Sequence, residues 1–509
     1  MNILVPLPIA LPLFAAGLST ALVRQRRAQR LIGLAVNAAL VLTAIALLIA
    51  VERDGPVAVQ MGGWEAPLGI TLVVDRLSAL MLVVSTTMVL IVLVYAIGEL
   101  GDERESLFFH PVYLVLNAGV SASFLTGDLF NLFVAFEVML IASYVLITLG
   151  GERGQLRAGM TYVVINLVAS TFFVVALALV YASTGTVNMA DLAGKLAELD
   201  PSLRRAIGLL LLTVFGIKAG MFPLYFWLPD SYPVAPAPVT ALFAGLLTKV
   251  GVYTILRSQT LLFADAGEPS TLLLFLAGGT MLAGVLGAIS QNDMGRILSF
   301  LIVSGVGFTL FGLGLFTSVG LAGAIFYIVQ TIIIITSMFL IVGIIENTMG
   351  SGTLSGLAGY ARRNRTLSLG FLVGGLSMAG LPPFSGFVGK LALVQGGLAE
   401  DRLIIVAVSL LASLLTLFAV AKIWSDVFWG EQEPSADFAG APVSRLMRSA
   451  TGALVGMGLL AAAFAGPLYA YTVRTAEDLL RPERYIETVL PPSVTARAER
   501  PSQAAVQGS

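Results

Sequence analysis

The chain has 509 residues, of which 12% are charged and 57% hydrophobic, with a mean hydropathy of +0.92. This is about half the charge of an ordinary soluble protein, so a water-soluble multidomain architecture is excluded and an integral membrane protein is expected. The balance of 29 Lys+Arg against 30 Asp+Glu gives no basic face for nucleic acid. No cysteine and a single histidine, His110, exclude disulfides, iron–sulfur clusters, thiolate zinc and a bis-histidine haem, so no cofactor and no metal centre are expected.

Runs of about twenty apolar residues mark membrane helices. In chain order they fall near 3–22, 31–51, 72–97, 111–126, 128–149, 160–183, 206–232, 237–257, 271–289, 296–315, 320–346, 366–398, 403–430 and 450–471. The expected fold is an all-α polytopic membrane protein of about fourteen spans. The first run has no basic residue ahead of it and leads into a second span, so it reads as an anchor rather than a cleaved leader. The runs at 206–232 and 366–398 are too long for one crossing and contain Pro223, Pro382 and Pro383, which mark two broken helices. The segments group into N-terminal helices over 1–107, a first unit over 108–257, a second over 271–430 and a C-terminal helix within 431–484. A tail rich in Pro, Ser, Ala and Gln follows from about 485 and is expected to stay disordered.

One set of loops carries about thirteen arginines, among them Arg24, Arg104, Arg296, Arg363 and Arg448, and the opposite set about six cations, Arg257 among them. The first set is then cytoplasmic, and an even number of spans puts both termini outside.

Only five lysines occur, and Lys218, Lys249 and Lys390 fall inside predicted spans, as does Glu137. An ionisable group in hydrocarbon is costly, so each is a functional candidate. The plainer alternative is paired ions that hold helices together. Arginine stays protonated, whereas a buried lysine can release its proton, which favours these four residues as proton carriers. Pro223 cannot donate to the carbonyl of Ala219, and Pro382 and Pro383 free those of Met378 and Ala379, so each break brings hydratable backbone near a lysine. Two broken helices about five spans apart also suggest an inverted internal repeat. Lys422, with Asp426 four residues on, reads as an i,i+4 pair or a snorkelling lysine. Asp75 and Asp128 read as helix caps, and His110, beside Pro111 at a helix mouth, as an interfacial histidine, with a proton gate as the alternative. Small-residue patterns such as "GVLGAIS" and "GFTLFGLG" suit close helix packing.

The segments "KAGMFPLYFWLPDSYPVAPAPVTALFAGLLTKVGVY", "GDLFNLFVAFEVMLIASY" and "GLPPFSGFVGKLALV" resemble the signatures of the antiporter-like subunits shared by respiratory complex I and the Mrp multi-subunit Na⁺/H⁺ antiporters. The likeness covers residues 70–430 and is nearest to the D-type subunits of the Mrp branch, since Lys390 follows "LPPFSGF". The resemblance implies fourteen helices with two inverted five-helix repeats. It also implies a coupled Glu137–Lys218 pair, Lys249 as central relay and Lys390 as distal proton site. The partners it implies are Mrp subunits A, B, C, E, F and G, with protons and Na⁺ as cargo and the cell membrane as location.

One helix departs from the family pattern. In "YIVQTIIIITSMF", Gln330 and Thr331 stand where relatives often carry histidines, and Ile335 stands at a lysine position. Gly305 follows Ser304 where complex I relatives have a histidine. Water ordered by Ser304, Thr309, Gln330, Thr331 and Thr336 would have to bridge Lys249 to Lys390. The expected function is proton translocation that drives Na⁺ export, by a transporter subunit rather than an enzyme. The alternatives are a proton-pumping subunit of NADH:quinone oxidoreductase or a membrane hydrogenase, and a structural spacer.

Overall fold

The computed structural model describes residues 2–101, 105, 107–264, 270–355, 357–430 and 443–490. Its helices in chain order are α1 (Leu7–Ala21), α2 (Arg26–Asp54), α3 (Arg76–Glu99), α4 (Phe109–Leu125), α5 (Leu129–Ile147), α6 (Arg153–Thr184), α7 (Met189–Ala197) and α8 (Pro201–Ala219). Next come the short α9 (Trp227–Ser231), α10 (Ala237–Leu261), α11 (Thr271–Ser290), α12 (Met294–Leu315), α13 (Ser318–Met349), the short α14 (Tyr360–Arg363), α15 (Arg365–Ala379) and α16 (Ser385–Ala399). The chain closes with α17 (Leu403–Phe428), α18 (Arg445–Ala463), α19 (Ala465–Leu480) and α20 (Glu483–Val489). One element is not helical: β1 (Val57–Gln60) pairs antiparallel with β2 (Thr71–Val74) ahead of α3, an addition to the all-helical expectation.

The helix starts follow from local chemistry. Asp75 caps α3 through a reciprocal box, accepting from Ser78 N at 2.9 Å while Asp75 N donates to Ser78 Oγ at 2.8 Å. Asp128 caps α5 by accepting from Asn131 N at 2.7 Å, and Asp293 caps α12 by accepting from Arg296 N at 2.9 Å. The cap reading of Asp75 and Asp128 therefore matches the geometry.

Among the described residues, ten helices are long and apolar enough to cross a membrane. Two expected spans, α1 and α4, form shorter apolar helices. Two others are interrupted, α8 from α9 and α15 from α16. The breaks begin before the prolines. Gly220 and Gly380 take φ +73° and +83° and end α8 and α15 in the left-handed region that glycine adopts without a Cβ penalty. α16 starts only at Ser385, so Pro383 lies outside the helix that carries Lys390.

α13 is the buried axis of the bundle, with its whole apolar window enclosed. That is why it is hydrophobic on every side. It packs against α12, α15, α16, α18 and α19. α2, α17 and α18 instead keep apolar outward faces, as contact with lipid requires. α11 and α12 approach closely, because neither Gly284 nor Gly307 leaves room for a Cβ against the partner backbone. These glycines lie in the two small-residue patterns.

Three further expectations change. Lys422 does not bond Asp426; its Nζ donates to the carbonyls of Ile289 and Gln291 at 3.1 and 2.7 Å and so caps the end of α11. Arg257 is no loop cation: it is buried on α10 and grips Asp75 at 2.6 Å. The chain remains helical through α20, with Tyr485 and Val489 buried. The tail beyond Leu490, the stretch 431–442 and Arg104 lie outside the described residues.

Candidate functional site

All three predicted lysines are buried, at 5%, 4% and 7% exposure for Lys218, Lys249 and Lys390. Each satisfies its ammonium in a different way, and none forms a direct ion pair among the described residues.

Lys218 sits in the last turn of α8. Its Nζ donates to Asn166 O at 3.4 Å, Asn166 Oδ1 at 3.3 Å and Ser170 Oγ at 3.4 Å, all on α6. Ser170 in turn donates to Glu137 Oε1 on α5. The expected Glu137–Lys218 pair is thus joined through a hydroxyl that can accept from the lysine while donating to the carboxylate. Lys218 also lies 5.9 Å from the Phe136 ring centroid. Its contacts run to α6 rather than to the break opened by Pro223.

Lys249 stands just past a wide turn, Phe243–Leu247, where α10 adopts the i→i+5 pattern. Such turns recur at functional positions. Its Nζ donates to Ala244 O at 3.2 Å and Thr248 Oγ1 at 3.4 Å. Thr336 of α13 donates to Ala241 O at 3.3 Å, and its hydroxyl fills the space that a Cβ on Gly245 would need.

Lys390 answers the second break as the sequence suggested. Its Nζ donates to Met378 O at 2.9 Å and Ala379 O at 3.2 Å and lies 4.3 Å from the Phe308 ring centroid. Its stem covers Gly380, where a Cβ would collide with Lys390 Cδ.

The predicted polar path lies between these lysines on α12 and α13. Gln330 Nε2 donates to Thr331 Oγ1 at 2.9 Å, and Thr309 donates to Gly305 O at 3.4 Å. Gln330 Oε1 faces Gly386, one turn before Lys390. Ser304 Oγ and Gln330 Oε1 are buried with no hydrogen-bond partner among the described residues, and polar atoms of this kind take ordered water. Thr336 belongs to the Lys249 end of this path, and Gln330 and Thr331 to the Lys390 end.

The sequence did not single out Asn166, Ser170, the wide turn before Lys249, or the buried Arg257–Asp75 pair. Nor did it place His110, which is 1% exposed, with Nε2 3.4 Å from Glu105 Oε2, while Arg30 Nε donates to the same carboxylate at 2.8 Å. Burial opposes the Glu105 charge, but the bonds from His110 and Arg30 outweigh it and hold the carboxyl below its ordinary value.

Fold and site together define a polytopic membrane protein whose lysines are enclosed beside opened backbone and orphaned polar atoms. A family profile described as NADH:quinone oxidoreductase/Mrp antiporter, TM, matches residues 126–416. The D-type subunit of the Na(+)/H(+) antiporter of Alkalihalophilus pseudofirmus is 43% identical over 492 residues, covering 96% of this chain and 100% of that protein. Among solved structures, a chain of the Mrp complex from Dietzia sp. DQ12-45-1b superposes with a TM-score of 0.90 at 31% identity, covering 96% of this chain and 100% of that one. A chain of the membrane-bound sulfane sulfur reductase, an archaeal respiratory membrane complex, gives 0.88 at 26% identity, covering 96% and 100%. The chain belongs to the NADH:quinone oxidoreductase/Mrp antiporter membrane-subunit family, within its Mrp D-type branch.

Proposed function

We propose that this chain is the D-type subunit of a multi-subunit Na⁺/H⁺ antiporter in the cell membrane and carries protons through buried lysines to drive Na⁺ export. The observation that carries the reading is the Lys218–Ser170–Glu137 linkage. A lysine enclosed at membrane depth, one hydroxyl from a carboxylate, can be held charged or released by small movements of α5, α6 and α8. A proton leaving Lys218 passes to Lys249, whose only ammonium partners among the described residues are a carbonyl and a hydroxyl. Water held by Thr336, Ser304, Gln330, Thr331 and Thr309 then carries it to Lys390. The membrane potential contributes about 2.3 kcal/mol per charge per 100 mV. Mrp subunits A, B, C, E, F and G are the proposed partners.

We also read the bundle as fourteen spans in two inverted repeats, with both termini outside. Matching devices in the two halves support this reading. Asp128 and Asp293 cap α5 and α12 and form backbone bridges to Asn188 and Thr353, while Gly220 and Gly380 end the two broken helices.

A proton pump driven by electron transfer would use the same lysines. The energy source separates the two readings. Proteoliposomes holding the whole complex, with no electron donor, are given an inward Na⁺ gradient and an internal pH dye. The antiporter reading expects proton efflux that collapses with the Na⁺ gradient. A gradient that moves no protons overturns it.

A further inference from the structure

The interface between α2 and α4 carries a second set of buried polar groups that the lysine path does not use. His110, Asn117 and Ser121 lie on one face of α4, at spacings of seven and four residues. Each has a buried side-chain atom with no hydrogen-bond partner among the described residues: His110 Nδ1, Asn117 Oδ1 and Ser121 Oγ. Asn117 Nδ2 donates to Asn37 Oδ1 of α2 at 2.8 Å, and Asn37 Nδ2 donates to Gly33 O at 2.8 Å. Gly33 faces His110 Nδ1, 3.8 Å from where its Cβ would stand. At 1.5 Å per residue the gaps along α4 are about 10 Å and about 6 Å, which about three waters and one or two waters span at hydrogen-bond spacing.

The face has two defined ends. At one end His110 Nε2 and Arg30 Nε meet Glu105. The other end reaches the level of Lys249. Tyr253, one turn beyond Lys249, donates to Phe124 O, one turn beyond Ser121, at 2.7 Å. α4 and α10 end on the same side, because Thr126 bridges to Leu72, just ahead of the Asp75 that Arg257 grips. The neighbouring helices add few charges. α1 has none; α2 has Arg26, Arg27 and Arg30 at one end and Glu52, Arg53 and Asp54 at the other; α3 has Arg76 and Glu99 at its ends and Tyr95 between them; α5, packed along α4, has Glu137 and Tyr144, and α10 has Lys249, Tyr253 and Arg257. His110 is the one titratable imidazole in the chain, and Tyr113, bonded to Val89 O, completes its own helix face.

We propose that this interface is a hydrated proton track to Lys249, with His110 as its proton-binding site. This rests on the reading of the chain as a proton translocator. With Nε2–H directed at Glu105, the Nδ1 lone pair takes the excess proton of a hydronium ion in the track, leaving neutral water, and the imidazolium so formed is held by the Glu105 carboxylate. Nδ1 then returns the proton to the water chain toward Asn117 and Ser121, and no other bond changes.

The test uses the intact complex in proteoliposomes, with His110→Gln, Asn117→Leu and Ser121→Ala beside Lys249→Ala. The expected result is normal assembly for His110→Gln and Ser121→Ala and Na⁺-driven proton flux reduced about tenfold and threefold respectively. Asn117→Leu, which plugs the track, matches His110→Gln. X-ray hydroxyl-radical footprinting of the wild type is expected to label Phe109, His110 and Tyr113. Unchanged flux in His110→Gln and Ser121→Ala, while Lys249→Ala is silent, overturns the track alone; so does a footprint with this face unlabelled. Normal flux in Lys249→Ala would instead overturn the lysine relay.

Discussion

Lys390 donates to the carbonyl oxygen of Met378 at 2.9 Å, across the gap between α15 and α16. The lysine thereby caps the helix that the Gly380 turn ends, and its charge is stabilised by dipoles rather than by a counter-ion. Such a site holds a proton without a partner that would make release costly. Lys390→Arg keeps the cation and donors but cannot release a proton. It is expected to assemble and to lower Na⁺/H⁺ exchange at least about tenfold in inverted vesicles. Lys390→Met also leaves two buried carbonyls without partners, at about 1–3 kcal/mol each, and is expected to reduce the amount of assembled complex as well.

Ser170 is the link between Lys218 and Glu137. Ser170→Ala removes the hydroxyl without adding bulk, and a loss of exchange of about tenfold is expected. Ser170→Thr keeps the hydroxyl and is expected to retain most of the rate. Initial rates of Na⁺-driven proton movement at equal complex content decide between these outcomes.

Gln330 Oε1 is buried without a partner, one turn from the Lys390 site. Gln330→Leu removes the anchoring of water there and the bond to Thr331 Oγ1, and is expected to slow exchange several-fold. Gln330→His puts a titratable group at that place and is expected to hold or raise the rate. Equal rates for glutamine, leucine and histidine at 330 would remove this position from the path.

The Arg257–Asp75 pair is nearly enclosed, at 7% and 13% side-chain exposure, with Arg257 also 5.0 Å from the Tyr485 ring centroid. Removing one buried partner costs about 3–5 kcal/mol, far more than removing both. Asp75→Asn, which keeps the cap of α3, is therefore expected to lower the thermal midpoint of the solubilised complex, and the double variant Asp75→Asn, Arg257→Met to recover much of it.

Glu105 supplies a pH dependence of known sign. Its folded carboxyl is held below the ordinary carboxylate value, against burial, by His110 and Arg30. The stability it contributes is full above the ordinary carboxylate range, about pH 4–5, and is lost as pH falls through the lowered folded value. Glu105→Gln is expected to be less stable than the wild type at neutral pH, with the difference shrinking below about pH 4. A gap that stays constant with pH in thermal melts would contradict this assignment.

Lys390 and its carbonyls were legible in "MAGLPPFSGFVGK" because a proline's missing N–H is a local fact. The membrane class followed from composition, and the caps at Asp75 and Asp128 from short-range chemistry. Asn166 and Ser170 were not legible: a lone amide and hydroxyl in an apolar helix mean little until α6 is packed on α5 and α8. Arg257 misled because hydropathy cannot distinguish a cation at a loop edge from one buried by a partner 182 positions away in sequence. His110 misled for a related reason: Glu105 lies close in sequence, but Arg30, which bonds the same carboxylate, comes from α2, 75 positions from it. Lys422 was assigned to its own helix, whereas the free carbonyls it caps belong to α11.

The central claim is that protons pass through the buried lysines. Its most direct measurement is the Na⁺-driven change of internal pH in proteoliposomes of the whole complex, with Lys218, Lys249 and Lys390 each replaced by alanine. Each variant, assembled normally, is predicted to fall at least about tenfold toward the rate of empty vesicles. A near-wild-type rate in any one of the three would contradict the claim.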